Sequence, residues 1–245
     1  MSVRQTAIAY AGIATATAVF APMATVFAAL SLGRNHGTRI IPKLWGRAVL
    51  ASCGVRYAVR GLDRFPHDRQ FIVASNHQSL LDPPLVVCAI PQKLRFVAKR
   101  SLFYIPVFGQ AVWAAGNVPI DRSRSDESTR KLNRTGRRVG KDLSIIFFPE
   151  GTRSPDGNLM PFKKGATRMA LQTGLALLPV AVAGTGDLLP KHARVVKPGA
   201  VGIAFGSPVE VAGHTLADRD LLTGKLREAV AALMPEAEEA RRSIA

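Results

Sequence analysis

Phe71-Ile72-Val73-Ala74-Ser75-Asn76-His77-Gln78-Ser79-Leu80-Leu81-Asp82-Pro83-Pro84 is the stretch that decides the fold. Its first four residues form an apolar run of strand length, with β-branched and aromatic side chains. Polar residues follow, then Asp82-Pro83, the pattern of a helix N-cap with proline at the first helical position. The next residues, Leu85-Val86-Val87-Cys88-Ala89-Ile90, continue as an apolar helix expected over Pro83–Ile90. A buried strand that turns through a short polar loop into a buried helix is the repeating unit of α/β domains. His77 sits on that loop.

The same alternation extends outward. Strands are expected at Arg56–Arg60, Gln70–Ser75, Arg95–Ala98, Ser144–Phe148, Ala176–Val182 and Val201–Phe205. Helices are expected at Pro83–Ile90, Ser125–Asp142, Gly165–Thr173 and Asp218–Leu233. In the last of these, Leu222, Leu226, Val230 and Leu233 fall at helical spacing, so it packs on the body. The charged tail Pro235–Ala245 is expected to fray. The fold class is therefore α/β, a mixed central sheet flanked by helices, with an N-terminal hydrophobic and amphipathic helical segment. Residues 1–52 form the membrane-associating helices and residues 53–245 one further domain; 245 residues leave room for a proper core but not for two ordinary domains.

Residues 5–33 carry no charge. That run exceeds the roughly 20 apolar residues needed to cross a bilayer, though it is rich in Ala and Thr and holds Pro22 near its middle. It can span, dip into or lie on a membrane; Ala28 and Ala29 also leave a cleaved signal open. Arg34, Arg39, Lys43 and Arg47 all follow the run, which by the positive-inside rule keeps the body cytoplasmic and argues against secretion. The expected localisation is thus the cell membrane, with the main domain on its cytoplasmic side. Residues 39–52 pair Lys43 and Arg47 at i, i+4 with Ile40, Ile41, Leu44, Trp45 and Val49. That suits either an interfacial helix or an ordinary helix covering the sheet.

Lys and Arg outnumber Asp and Glu by 33 to 17, a formal net charge of +16. Such an excess attracts an anion: nucleic acid, anionic headgroups, a phosphorylated substrate or an acidic carrier protein. Arg130, Arg134, Arg137 and Lys141 share one helical face, which suits lipid headgroups or an acidic acyl carrier protein, or else is simply solvated. Nucleic acid fits poorly, because no aromatic residues are interleaved for base stacking. The two cysteines, Cys53 and Cys88, show no CxxC or Cys/His pattern, so neither a zinc site nor a disulfide framework is indicated.

Three motifs carry chemistry. In the first, a turn must bring Asp82 to His77; a carboxylate on one ring nitrogen fixes the tautomer and leaves the other nitrogen free to take a proton. Alone, the pair reads equally well as a cap and a polar loop residue. In the second, the strand Ser144–Phe148 runs into Pro149-Glu150-Gly151-Thr152-Arg153-Ser154. Carboxyl ends of such strands are where α/β folds place ligands. Gly151 permits a turn whose backbone N–H groups converge on an anion, and Arg153 offers a fork to a phosphate. Glu150 either pairs with Arg153 or accepts from a substrate hydroxyl; a purely structural turn is the alternative. The third places Lys99 and Arg122 around Gly116-Asn117-Val118-Pro119-Ile120-Asp121-Arg122 as phosphate partners or solvated charges.

Together these residues resemble the glycerolipid acyltransferases, in particular those acting on 1-acylglycerol-3-phosphate. Asn76–Asp82 resembles their His-x4-Asp block, Lys99–Arg122 their second, Phe148–Ser154 their third and Leu178-Pro179-Val180-Ala181-Val182 their fourth. The resemblance implies transfer of a fatty acyl group to the hydroxyl of lysophosphatidic acid. His77 is then the general base and Asp82 its partner, while Arg122, Glu150, Gly151, Thr152 and Arg153, supported by Lys99, hold the acceptor. It implies no metal and no cofactor beyond the donor, acyl-CoA or acyl carrier protein, and it implies membrane lipids as partners. Pro119 departs from the family pattern, in which an aromatic residue often stands there, and this leaves the acceptor less fixed. Another acceptor (glycerol 3-phosphate, another lysolipid or an aminolipid), a thioester hydrolase, and a non-catalytic membrane- or carrier-binding protein are the alternatives.

Overall fold

The computed structural model describes residues 3–30, 37–120 and 143–245. Arg34, Arg122, the helix expected at Ser125–Asp142 and its basic face lie outside the described residues. Seven strands join in one sheet: β1 (Val55–Arg60), β2 (Ile72–Ser75), β3 (Lys93–Lys99), β4 (Val118–Ile120), β5 (Leu143–Phe147), β6 (Leu177–Ala183) and β7 (Gly199–Phe205), in the order β1-β7-β6-β2-β5-β3-β4. Strands β6, β2, β5, β3 and β4 are parallel; β7 is antiparallel to β6, and β1 follows β7. The sheet is mixed, as expected. Every residue of β2 and β6 is buried, which is why these strands are apolar without interruption.

Side chains alternate between the two faces with period two. Val73, Ile146, Leu178, Val180 and Val182 pack towards helices α2 (Gly37–Ser52) and α3 (Asp82–Ala89), meeting Leu50, Leu81, Leu85 and Val86. Ile72, Ala74, Ile145, Phe147 and Leu177 pack on the opposite face against Ala166, Met169 and Ala170 of a helix at Gly165–Thr173. Each such large apolar side chain, fully buried, contributes about 1.5–3 kcal/mol. The C-terminal helix, Arg219–Arg242, covers the rest of that face through Leu222, Leu226, Val230 and Leu233.

The expected fraying after Leu233 does not occur. The helix continues through Pro235 to Arg242, with Ala237 and Ala240 wholly buried. The sheet beneath is built of small residues, Ala181, Ala183 and Ala204, and at Gly202 a Cβ would lie 1.8 Å from the Ala237 carbonyl oxygen. Helix and sheet therefore approach closely, and Arg241 ties the end down with an ion pair to Asp187 at 2.7 Å. The charge pattern of the tail conceals this contact, because its buried positions are alanines.

Helix α1 (Val3–Leu30) runs antiparallel to α2. Gly12 lies against Ser52, and the Trp45 indole N–H donates to Thr17 Oγ1 at 3.2 Å. The run Arg4–Leu30 is long and apolar enough to cross a membrane, and little of it is buried against the protein. Its small residues Ala9, Ala16 and Ala21 face inward, while Ile8, Val19, Met23, Val26, Phe27 and Leu30 are exposed. Helix α2 covers the sheet with Ile41, Val49 and Leu50, which are buried, and leaves Ile40 and Leu44 exposed. A short helix α4 (Phe108–Ala114), which the sequence did not announce, packs on α1 and brings Phe108 to 6.3 Å from Trp45.

Candidate active site

Strands β6, β2 and β5 end side by side, with Ser75 opposite Val180 and Ala74 opposite Phe147. The chain leaving β2 therefore meets the chains leaving its two neighbours. Asn76 prolongs the ladder with its side chain: its amide donates to the Val182 carbonyl at 2.9 Å and its oxygen accepts from the Val182 N–H at 2.8 Å. His77 follows, gripped through its backbone by the loop after β5. Its N–H donates to Glu150 Oε1 at 2.9 Å, and its carbonyl accepts from the Ser154 N–H at 2.7 Å.

Asp82 is not a helix N-cap. Leu81 occupies that position, Asp82 begins α3 and Pro83 follows it. The carboxylate turns back from the helix to the loop it has just left. Oδ2 accepts from the His77 imidazole Nδ1 at 2.7 Å, from the Gln78 N–H at 2.7 Å and from the Ser79 N–H at 2.8 Å. Oδ1 accepts from the Thr185 hydroxyl at 2.5 Å. The Asp82 side chain has no solvent exposure, and that of His77 is 13 % exposed. An ionised carboxylate only accepts, so Nδ1 carries the ring proton and Nε2 the free lone pair. Phe148 stacks on the imidazole at 4.1 Å between ring centroids and 19° between planes, fixing the ring's tilt. Ser79 is no nucleophile: its hydroxyl is buried, donates to the Leu189 carbonyl at 2.8 Å and accepts from the Leu81 N–H.

The loop after β5 turns at Gly151, whose φ of 76° favours glycine. The Lys163 side chain lies across this turn, so a Cβ at Gly151 would meet its Nζ at 2.9 Å. Thr152 is exposed and Arg153 half-buried beside it. Glu150 makes no ion pair with Arg153 among the described residues; it is buried and turned inward to the His77 backbone. Its second oxygen, Oε2, has no hydrogen-bond partner among the described residues. Burial, with the Asp82 charge adding to it and the His77 N–H opposing it, pushes the Glu150 carboxyl up to about 7. Arg227 of the C-terminal helix holds the outer part of this loop by donating to the carbonyls of Leu159 and Met160. Lys99 ends β3, one strand beyond β5 at the same edge, and is exposed; β4 ends there too, at Ile120, just before the Arg122 segment that lies outside the described residues.

His77, Asp82, Glu150, Gly151, Thr152 and Arg153 are thus gathered at one edge, with Lys99 further along it. Sequence reasoning missed Thr185, Lys163 and the stacking role of Phe148. Gly184-Thr185 directly follows β6, so the rule that ligand-side residues sit at carboxyl ends of parallel strands pointed there. Lys163 carried no such signal, being 12 residues beyond the Gly151 turn it covers.

Known proteins resemble this chain in sequence and fold. The acyltransferase family model matches residues 56–183. The crystal structure of a 1-acyl-sn-glycerophosphate (LPA) acyltransferase from Thermotoga maritima has 30% sequence identity and a TM-score of 0.78, covering 94% of this chain and 95% of that one. Human 1-acyl-sn-glycerol-3-phosphate acyltransferase alpha is 30% identical over 205 residues, 83% of this chain and 72% of its own length. A chloroplastic 1-acyl-sn-glycerol-3-phosphate acyltransferase of Brassica napus is 35% identical over 178 residues, 72% of this chain; the chain spans about half of that relative, 51%. With a family model matched from β1 to the end of β6, and a solved relative matched along nearly its whole length, the chain belongs to the acyltransferase family.

Proposed function

We propose that the protein transfers a fatty acyl group from a thioester, acyl-CoA or acyl carrier protein, to the free hydroxyl of lysophosphatidic acid, giving phosphatidic acid. The observation that carries this reading is the His77–Asp82 pair, held at 2.7 Å with Nε2 left as the free base at the edge of the sheet. In the proposed step, Nε2 takes the acceptor hydroxyl proton as the oxygen attacks the thioester carbonyl. The tetrahedral intermediate collapses with cleavage of the C–S bond. The imidazolium then returns its proton to the departing thiolate, so that an ester and a free thiol leave. Asp82 supports the imidazolium through this cycle. The engaged hydroxyl of Ser79 favours direct transfer over an acyl-enzyme.

In this reading Arg153, the backbone of the Gly151 turn, Thr152 and Lys163 receive the acceptor's phosphate, with Arg122 and Lys99 as further cations. Glu150 serves the same site from beneath, by fixing the His77 backbone. The names of the relatives favour lysophosphatidic acid over other acceptors. The exposed apolar side of α1 favours a membrane seat, and the cations after it favour a cytoplasmic body.

The test is acyl transfer from radiolabelled donors, in detergent, with lysophosphatidic acid and with its phosphate-free counterpart. Formation of phosphatidic acid by wild type, little product without the phosphate, and loss of both with His77→Ala are expected. Equal rates with and without the phosphate would sink the role given to Arg153 and Lys163. Release of free fatty acid regardless of acceptor would make the protein a hydrolase.

A further inference from the structure

The Thr185 hydroxyl is unlike the other donors to Asp82. The Oδ2 atom is held by three groups of its own loop, His77 Nδ1 and the N–H groups of Gln78 and Ser79, all between 2.7 and 2.8 Å. The Oδ1 atom faces a different element. There the short helix Thr185–Leu188 begins, and its first residue donates at 2.5 Å. Both Thr185 and Asp82 have no solvent exposure, so no water competes for this bond. The helix is set by Gly184, whose φ of 87° turns the chain sharply out of β6; a Cβ there would strike the Arg241 side chain and the Ala200 carbonyl. A residue over 100 positions away in sequence is thereby brought to the one carboxylate oxygen that the catalytic loop cannot reach.

Resting on the reading of His77 as the base, we propose that Thr185 is a positioning residue of the transfer reaction: by donating to the far oxygen of Asp82 it fixes how much negative charge the imidazole meets. Hydrogen bonds from two backbone N–H groups keep Oδ2 in place whether or not Thr185 is present. Loss of the hydroxyl therefore changes the charge on Asp82 more than its orientation. Without that donor, more charge stays on Oδ2, and the proton on His77 is held more tightly. The base then gives up its proton to the thiolate less readily, and a larger part of it is already protonated at a given pH.

The experiment follows the His77 ring by NMR across pH in the full chain in detergent, with the resonance identified by its loss in His77→Ala. Thr185→Val keeps the shape and removes the hydroxyl; Thr185→Ser keeps the hydroxyl. Thr185→Val is expected to raise the His77 midpoint by about half a pH unit or more. The acid limb of kcat/KM should move with it, and kcat on that limb should fall roughly threefold while both KM values stay within about twofold. Thr185→Ser should follow wild type in all of these. Glu150 also binds the His77 backbone, and burial pushes its carboxyl up to about 7, so the profiles are compared in a Glu150→Gln background as well. If Thr185→Val folds poorly, Thr185→Ala carries the same expectation. An unmoved His77 midpoint in either variant overturns the proposal, whatever happens to the rate. A shifted midpoint in a protein whose wild type transfers no acyl group would instead overturn the acyltransfer reading and leave the coupling of Thr185 to His77 standing.

Discussion

The loop Asn76–Asp82 and the helix α1 break the ordinary rule of protein interiors in opposite directions. The loop is polar and mostly buried: Asn76, Gln78, Ser79 and Asp82 are all enclosed, and each has a hydrogen-bond partner. Helix α1 is apolar and mostly exposed, with Ile8 at 65% and Leu30 at 73% of their full accessibility. A buried polar group is tolerable only when satisfied, and an exposed apolar patch of this extent marks a surface meant for something other than water. The first region has its polar groups satisfied by the protein itself, through partners on β6, the loop after β5 and Thr185. The second is a helix long and apolar enough to cross a membrane, with little of it buried against the protein. The pairing suits chemistry on a lipid, in which a fixed base must be presented at a surface where the substrate dissolves.

The buried polar loop is most sensitive at Asp82. Asp82→Asn removes the charge that supports an imidazolium and gives two N–H groups of the loop a poorer partner. Activity should fall by roughly a thousandfold or more, read as kcat with saturating acceptor; a variant within tenfold of wild type would mean the carboxylate is only structural. Next in size is α1. Val19, half exposed on the apolar side, becomes a burden in lipid when charged. Val19→Asp should weaken partition to vesicles by about 60- to 300-fold, following the ~2.5–3.5 kcal/mol cost of a central carboxylate in a membrane helix, while activity in detergent stays near wild type. Unchanged flotation would remove α1 from the membrane.

Glu150 provides a smaller, pH-dependent effect within the polar region. Its folded-state pKa is raised to about 7 from an ordinary 4.5, so the fold prefers the protonated acid. The unfolded chain gives up this proton first as pH rises. The contribution of Glu150 to stability is thus greatest below about pH 4.5 and is lost as the folded pKa is passed near pH 7, roughly 3 kcal/mol in all. Glu150→Gln keeps an oxygen for the His77 N–H and should lose that slope between pH 5 and 8 in denaturant titrations. A slope as steep as in wild type would assign it elsewhere. The smallest effect belongs to the seam between α1 and α2. Trp45→Phe deletes the bond to Thr17 and should cost about 0.5–1.5 kcal/mol, measured by thermal unfolding in detergent; a loss several times larger would show that α1 is anchored mainly at that point.

The two regions also differ in how much of them the sequence revealed. The strand Phe71–Ala74 and the strand Ser144–Phe148 were legible because parallel strands buried on both faces are apolar without interruption, and their polar carboxyl ends announced the site. The pair His77–Asp82 was legible as residues, but not the way it is held. Asp82 before proline looked like a helix cap as well as a partner of His77; only the folded loop shows it inside the helix, its carboxylate also taking the N–H groups of Gln78 and Ser79. Thr185 and Lys163 were hidden because their contacts cross between elements, which no local period records. The strand Val118–Ile120 is three residues long and carries a proline, too short to stand out. The buried alanines at 237 and 240 were masked by the charges around them. What a sequence displays is periodicity and turn chemistry; what it withholds is which small or polar residue lies opposite which.

In the proposed reaction His77, oriented by Asp82, takes the proton of a lysophosphatidic acid hydroxyl. The most direct measurement is the rate of phosphatidic acid formation by wild type and by His77→Ala, in detergent, with acyl-CoA and with acyl carrier protein as donors. Product from wild type with at least one donor is expected, with a loss of about a thousandfold or more in the variant and an unfolding temperature nearly unchanged. Transfer by His77→Ala at a rate close to wild type would contradict this role of His77.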